Sequence, residues 1–345
     1  MTLFQLFAAL LIAALPTASL AQPLRIVVWN IENATVSKVA EQRDDIQRLE
    51  RDLRPDVLVL QEVSGGGPAA QAIAAALGWA DVYIAVSDFY PPDPLKPHYS
   101  QELAVISRVP IVSVVEYDPR PDNKTFSVFG PSGTSQPVAE ERLTADGISG
   151  FGGGISRYSK GTIRVDLDGG ISLFPVHLKS DFIRAKKPGA ITDARIKNAK
   201  KREVTIAAIV REASKSAKAG RITVILGDFN TTFEPGKFGA EIADCQLQDF
   251  PRAPAPFPPS ACNGPGYDDT LGILEAGLVG AQRWSFLTRN LGRTWFGEDN
   301  RFGDFAIDHV AVPVEQSDRF GIAAKANERY GSDHWPVVFE MQVAN

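Results

Sequence analysis

The chain has 345 residues, 44% of them hydrophobic and 22% charged, close to the averages for soluble globular proteins. That composition excludes a disordered tail protein, a coiled coil and a multi-span membrane protein, and the length suits one large domain or two. With 36 basic and 41 acidic residues the net charge is −5, so nothing global marks a nucleic-acid binder, and an acidic protein handling a phosphate ester would need metal ions or local basic residues to offset repulsion.

Residues 1–21 carry no charge, and an apolar run over 3–15 is followed by Pro16 and by small residues at Ser19 and Ala21. This is the pattern of a signal peptide with its cleavage site, and the run is shorter than the ~20 residues of a membrane span. The expectation is a signal peptide over 1–21 and an exported chain over 22–345, periplasmic or secreted, with no stable membrane insertion.

Residues 24–29 (LRIVVW) form an apolar run ending in Asn30, which predicts a buried strand. Residues 37–51 have helical spacing, with Val39, Ile46, Leu49 and Leu53 inward and Pro55 as the stop. Residues 57–60 (VLVL) predict a second buried strand that runs into Gln61 and Glu62. An Ala-rich helix follows over 68–77, closed by Gly78. Strands are predicted at 103–107 and 111–117, around a Val109-Pro110 turn. Residues 161–167 and 171–177 flank Asp168-Gly169-Gly170, a hairpin signal. A long helix is predicted over 194–213, with Arg195, Lys197, Lys200, Lys201 and Arg202 as a solvated basic face. Residues 222–226 predict a strand delivering Gly227-Asp228-Phe229-Asn230, where Gly227 would let the backbone approach a ligand. Strands at 284–288, 305–312 and 335–343 close the chain.

The stretches 84–100, 118–160 and 231–270 read as loop insertions. The only cysteines, Cys245 and Cys262, lie in the last, Pro-rich one. In an exported protein they are expected to form a disulfide; no CxxC or nearby His completes a zinc set. No repeat of 20–50 residues and no Gly-rich dinucleotide fingerprint occurs. The element pattern predicts one α/β domain, with sheets packed face to face and helices outside.

Asn30, Glu62, His177, Asp228, Asn230, Asp308, Asp333 and His334 each lie at the end of an apolar run. Strand ends are where α/β folds build sites, and these ends converge if they share one sheet edge. Taken singly, each residue has a plainer reading: Glu62 as a surface carboxylate, Asn30 as a turn former, His177 as a buried structural histidine, Asp228 and Asn230 as a capped turn.

The segments Trp29-Asn30-Ile31, Leu60-Gln61-Glu62, Val176-His177-Leu178-Lys179-Ser180, Gly227-Asp228-Phe229-Asn230, Ile307-Asp308-His309-Val310 and Ser332-Asp333-His334-Trp335-Pro336-Val337 occur in that order. The series resembles the motifs of the endonuclease/exonuclease/phosphatase superfamily, whose fold is DNase I-like. The resemblance spans nearly all of 22–345. It implies a four-layered α/β sandwich of two mixed β-sheets, with the site at one end of the sheets.

A phosphodiester is anionic and a poor electrophile, so its hydrolysis needs charge neutralisation, a placed nucleophile and a protonated leaving group. The sequence supplies oxygen ligands and no thiolate cluster, which suits Mg²⁺, with Mn²⁺ or Ca²⁺ as possible substitutes. Glu62 is the expected metal ligand, and the resemblance adds Asn30 and Asp333. His334 is the expected general base, with Asp308 orienting its ring. The resemblance gives His177, Asp228 and Asn230 catalytic roles on the phosphate and leaving oxygen. Arg157 resembles a phosphate-gripping arginine, and Lys179 would add positive charge. His309 reads as packing and His98 as an exposed loop residue.

The expected activity is metal-dependent phosphodiester hydrolysis by activated water, with nucleic acid as leading substrate. A phospholipid or small-molecule phosphodiesterase or phosphatase is the alternative, and a non-catalytic binding protein a third reading. No long apolar hairpin with paired aromatics suggests membrane insertion, and no strong basic stripe suggests tight duplex binding.

Overall fold

The computed structural model describes residues 22–88, 101–118, 127–130, 135–137, 139–142, 160–180, 188–233, 268, 270–278, 280–296 and 306–343. Two mixed sheets dominate it. The first has the order β14 (Ala324–Lys325), β15 (Val337–Met341), β1 (Leu24–Asn30), β2 (Val57–Val63), β4 (Glu102–Ser107), β3 (Tyr83–Val86), β6 (Ser127–Phe129), β7 (Ser135–Pro137). The second has the order β12 (Trp284–Phe286), β13 (Asp308–Pro313), β11 (Ile222–Asp228), β10 (Ile171–His177), β9 (Thr162–Leu167), β5 (Ile111–Asp118), β8 (Ala139–Arg142).

Helices α1 (Val36–Glu41), α2 (Arg43–Leu53) and α3 (Gly66–Ala76) cover the first sheet, and α4 (Pro188–Lys218) and α5 (Thr270–Ala276) cover the second. This is the four-layered sandwich that the motif order implied. One core joins the facing sheets and the α1–α3 layer, with Ile26, Val28, Leu58, Leu60, Val105, Val165, Leu173 and Val224 fully buried. A second lies between the second sheet and its helices, around Phe174, Ile206, Ile209, Val210, Ile225 and Leu274. Central strands covered on both faces are mostly apolar along their length, which is why 57–60 and 222–226 show no clear alternation.

The expected helix over 37–51 is two helices that break at Gln42. Thr35 caps the first, its hydroxyl accepting from the Lys38 N–H at 3.2 Å. Arg54 ends the second in the left-handed conformation, just before Pro55. The hairpin at 168–170 is present, with Gly169 and Gly170 at φ +81° and +76°.

Three expectations are corrected. The stretch read as an insertion from residue 84 begins inside β3, a central strand too short to announce itself. The stretch 118–160 contributes β6, β7 and β8. The supposed solvated face of α4 includes Arg202, which is 1% exposed. Its guanidinium donates to Asp268 Oδ2 at 2.6 Å and to the Lys179 carbonyl at 2.7 Å, fixing the segment just past β10. Both cysteines and Arg157 lie outside the described residues, as do residues 1–21 and His98.

Gly227 has a different reason from the one expected. Its φ is +139°, and a Cβ there would sit 2.1 Å from the Val176 carbonyl oxygen. The glycine serves the close pairing of β10 with β11 rather than ligand approach. Gly227→Ala is therefore expected to cost more than about 3 kcal/mol, read from urea unfolding midpoints. Gly220→Ala is the control: its φ is also positive, +86°, but a Cβ would meet nothing within 4 Å, so only conformational strain of about 1 kcal/mol remains.

Candidate active site

The register of the second sheet lines up three of the expected residues. His177 at the end of β10 pairs with Asp228 at the end of β11, and Asp228 pairs with Asp308 at the start of β13. In the first sheet, Asn30 ends β1 beside Gln61 of β2. The parallel pairs β1–β2 and β10–β11 both point their C-terminal ends here, as strand ends in α/β sites do.

Glu62 sits where the β2–β4 ladder shifts register between Leu60 and Val63, with φ +62°. Such a conformation is costly for a side-chain-bearing residue and is held only when its surroundings impose it. The Asn33 N–H donates to Glu62 Oε2 at 3.1 Å, and Asn30 Nδ2 donates to Glu62 Oε1 at 3.3 Å. The same Nδ2 donates to Asp228 Oδ2 at 3.1 Å, so the Asn30 amide clamps the two carboxylates across the sheets. Its oxygen accepts from the Glu32 N–H instead.

His334 Nδ1 donates to Asp308 Oδ2 at 2.8 Å in a fully buried pair. The Ser332 hydroxyl, bonded to the Asn30 carbonyl at 2.6 Å, accepts from the His334 N–H at 3.1 Å and pins the loop to β1. Asp333 Oδ1 lies 3.8 Å from His334 Nε2, while its Oδ2 accepts from the Trp295 indole at 3.1 Å. Burial works against the imidazolium, but the charge and hydrogen bond of Asp308, with Asp228 and Asp333 behind them, outweigh it and push His334 up to about 10.

His177 Nε2 lies 3.6 Å from both Glu62 Oε1 and Asp228 Oδ2. Its Nδ1 is 2.8 Å from Lys160 Nζ. An ammonium can only donate, so Nδ1 accepts and the ring proton sits on Nε2, facing the carboxylates. Burial, then the positive charges of Lys160, His334 and Lys179, hold His177 well below its ordinary range. It is a neutral N–H donor at pH 7.

Lys160 is the residue that sequence reasoning missed. It also donates to Gln101 Oε1 at 2.8 Å, and burial lowers it to about 8 against the pull of Glu62 and Asp228. Its signal was weak: a lysine in the stretch GISRYSKG that follows the Gly-rich part of the chain, two residues before β9. Lys179 is half-buried nearby, and its charge is felt by both Lys160 and His177. Asn230, at φ +52°, donates its side-chain amide to the Leu178 carbonyl at 3.1 Å and its N–H to Asp228 Oδ1 at 2.8 Å. His309, as expected, is core: Nε2 donates to the Thr231 carbonyl at 3.0 Å, among Phe229, Phe233 and Phe286.

The residues fit a hard divalent cation. Ligand atoms of Asp228, Asp308 and His334 lie within 4.8 Å of one another. Asp308 Oδ1 is buried with no hydrogen-bond partner among the described residues. Burial and then the neighbouring Asp308 charge push Asp228 up to about 7. Carboxylate oxygens with room for water are the donor chemistry of Mg²⁺ and Mn²⁺.

Fold and site together define a phosphoesterase of the α/β-sandwich type. The chain belongs to the Endonuclease/Exonuclease/phosphatase family, whose pattern matches residues 27–334. No curated protein gave a match. Among solved structures, a 3′ phosphatase NExo (D146N) from Neisseria bound to a product DNA hairpin is 16% identical, with TM-score 0.50, covering 92% of this chain and 99% of that one. An AP endonuclease from Archaeoglobus fulgidus is 14% identical, with TM-score 0.51, covering 93% and 100%. Truncated Caenorhabditis elegans TDP2 is 10% identical, with TM-score 0.50, covering 93% and 98%. At these identities the likeness is one of fold. No helix among the described residues is long and apolar enough to cross a membrane.

Proposed function

We propose that the protein is an exported, divalent-metal-dependent phosphodiesterase of the nuclease type. The observation that carries this reading is the row His177–Asp228–Asp308 along one sheet edge, closed by the His334–Asp308 pair and faced by Glu62. Family membership and the DNA bound to the Neisseria 3′ phosphatase support nucleic acid as the substrate.

Glu62 and Asp228 would hold the cation, with Asp308 Oδ1 and Asp333 Oδ1 as further oxygen donors. When bound it supplies charge neutralisation on the phosphate and lowers the pKa of water. His334 takes the proton of the attacking water through Nε2, its ring held by Asp308. The surrounding carboxylates keep a proton on His334, so its basic form depends on compensation of their charge. His177 donates from Nε2, and Lys160 and Lys179 add positive charge where negative charge grows in the transition state. Asn230 holds Asp228 and the Leu178 carbonyl in place.

A substrate panel tests the reading: single-stranded and duplex oligonucleotides, phosphatidylcholine and sphingomyelin vesicles, and inositol phosphates, each with Mg²⁺. Oligonucleotide cleavage is expected to exceed the others. Faster release from lipid or inositol phosphate would overturn the nuclease assignment.

A further inference from the structure

Beside the catalytic cluster lies a patch that the mechanism does not use. Trp335 follows His334 in the chain, and residues 293–296 run antiparallel to 333–335, with the Phe296 N–H on the Asp333 carbonyl and the Trp335 N–H on the Thr294 carbonyl. Three cations from two stretches of chain, Arg293 on one and Lys325 and Arg329 on the other, gather on the two rings. Arg293 Cζ lies 4.6 Å from the Trp335 centroid and 5.0 Å from that of Phe296. Lys325 Nζ lies 4.7 Å from Trp335. Arg329 Cζ lies 4.6 Å from Phe296 and 5.4 Å from Trp335. The rings meet edge to face at 6.3 Å.

Like charges gathered at one place repel, and in a protein of net charge −5 they would ordinarily be matched by carboxylates. Lys325 and Arg329 make no salt bridge among the described residues; the nearest acid in sequence, Glu328, pairs with Arg48 at 3.3 Å. Lost hydration and then Arg293 lower the Lys325 ammonium. The patch thus gathers three cationic side chains in a protein whose net charge is negative.

We propose that Lys325 and Arg329, with Arg293 and the Trp335–Phe296 pair, form a subsite for a flanking backbone phosphate and base of the nucleic-acid strand whose scissile bond lies at His334. The inference rests on the nuclease reading above. Guanidinium groups laid on aromatic rings present flat, cationic faces, which bind phosphate and stack bases without sequence preference. A nucleic acid is favoured over an anionic membrane because the rings are half-buried under the cations rather than protruding. The patch is also tied to the catalytic histidine through the chain, since Trp335 is the residue that follows His334.

The test uses Lys325→Ala, Arg329→Ala and the double variant of the full chain. Each is assayed with Mg²⁺ on a single-stranded oligonucleotide and on bis-p-nitrophenyl phosphate, whose single phosphate cannot span both places. The double variant is expected to lose at least tenfold in kcat/KM on the oligonucleotide, mainly through KM, and to stay within twofold of wild type on the small diester. The salt slope of oligonucleotide binding is expected to fall by about 0.7 for each cation removed, and Lys325→Arg with Arg329→Lys to restore it. Equal losses on both substrates, or an unchanged salt slope, would overturn the subsite. So would loss of phosphatidylserine-vesicle binding with no change on the oligonucleotide. A wild type that turns over neither substrate, with the salt slope of oligonucleotide binding still lowered in the variants, would refute the catalytic reading and support the subsite.

Discussion

His334→Ala is expected to lower kcat by roughly 10²–10⁴-fold, the range for removal of a general base. The ring is held by one 2.8 Å bond to Asp308 Oδ2, and the backbone around it by Ser332. Losing the imidazole leaves Asp308 buried without its partner, and breaking a buried pair commonly costs about 3–5 kcal/mol. Activity must therefore be measured beside a thermal melt, at a temperature where the variant is folded. Asp308→Asn provides the companion: it keeps the shape and removes the charge that raises His334. A folded His334→Ala protein with wild-type kcat would show that another group takes the proton.

Glu62→Gln is the second large effect. The substitution keeps the side-chain length, and one amide oxygen remains to accept from Asn33 or Asn30. What it removes is a negative charge at the strand end that faces His177 and Asp228. A fall of at least roughly 10²-fold in kcat/KM at fixed Mg²⁺ is expected, together with half-activation at a higher metal concentration. Because the left-handed backbone at residue 62 is imposed by the register shift in β2, the stability of the variant should change little. An unchanged metal requirement would remove Glu62 from the cation site.

Much of this site is legible in the sequence because of where burial stops. Runs such as VLVL and ITVIL are apolar since both sheet faces are covered, so the first carboxylate after each run marks the sheet edge. Ordered motifs then carry the sandwich. Lys160 was not legible in this way: its position follows from how β9 enters the sheet beside β10, and a lysine following a Gly-rich stretch carries no periodicity. Arg202 was hidden by its neighbours, because a basic run on a helix looks uniform until the fold buries one member against Asp268. Gly227 in sequence suggests ligand approach, whereas its constraint is the Val176 carbonyl on the next strand, a contact between residues far apart in sequence. Strand β3 has only four residues and takes its stability from β4 and β6 rather than from its own pattern.

A protein of net charge −5 concentrates carboxylates at one sheet edge, where a divalent cation would invert the local field. Beside them it sets Lys160 and the Arg293–Lys325–Arg329 patch. Acidity and an anionic substrate are then compatible, because the site does not carry the average charge.

The most direct test is the turnover of bis-p-nitrophenyl phosphate by wild type and Glu62→Gln across a Mg²⁺ titration, begun from chelator-treated protein. Turnover that is absent with chelator, rises with Mg²⁺ in the wild type and is strongly reduced in the variant is the expected result. Turnover indifferent to the chelator, or absent from the wild type with Mg²⁺, Mn²⁺ and Ca²⁺ alike, would contradict a metal-dependent phosphodiesterase.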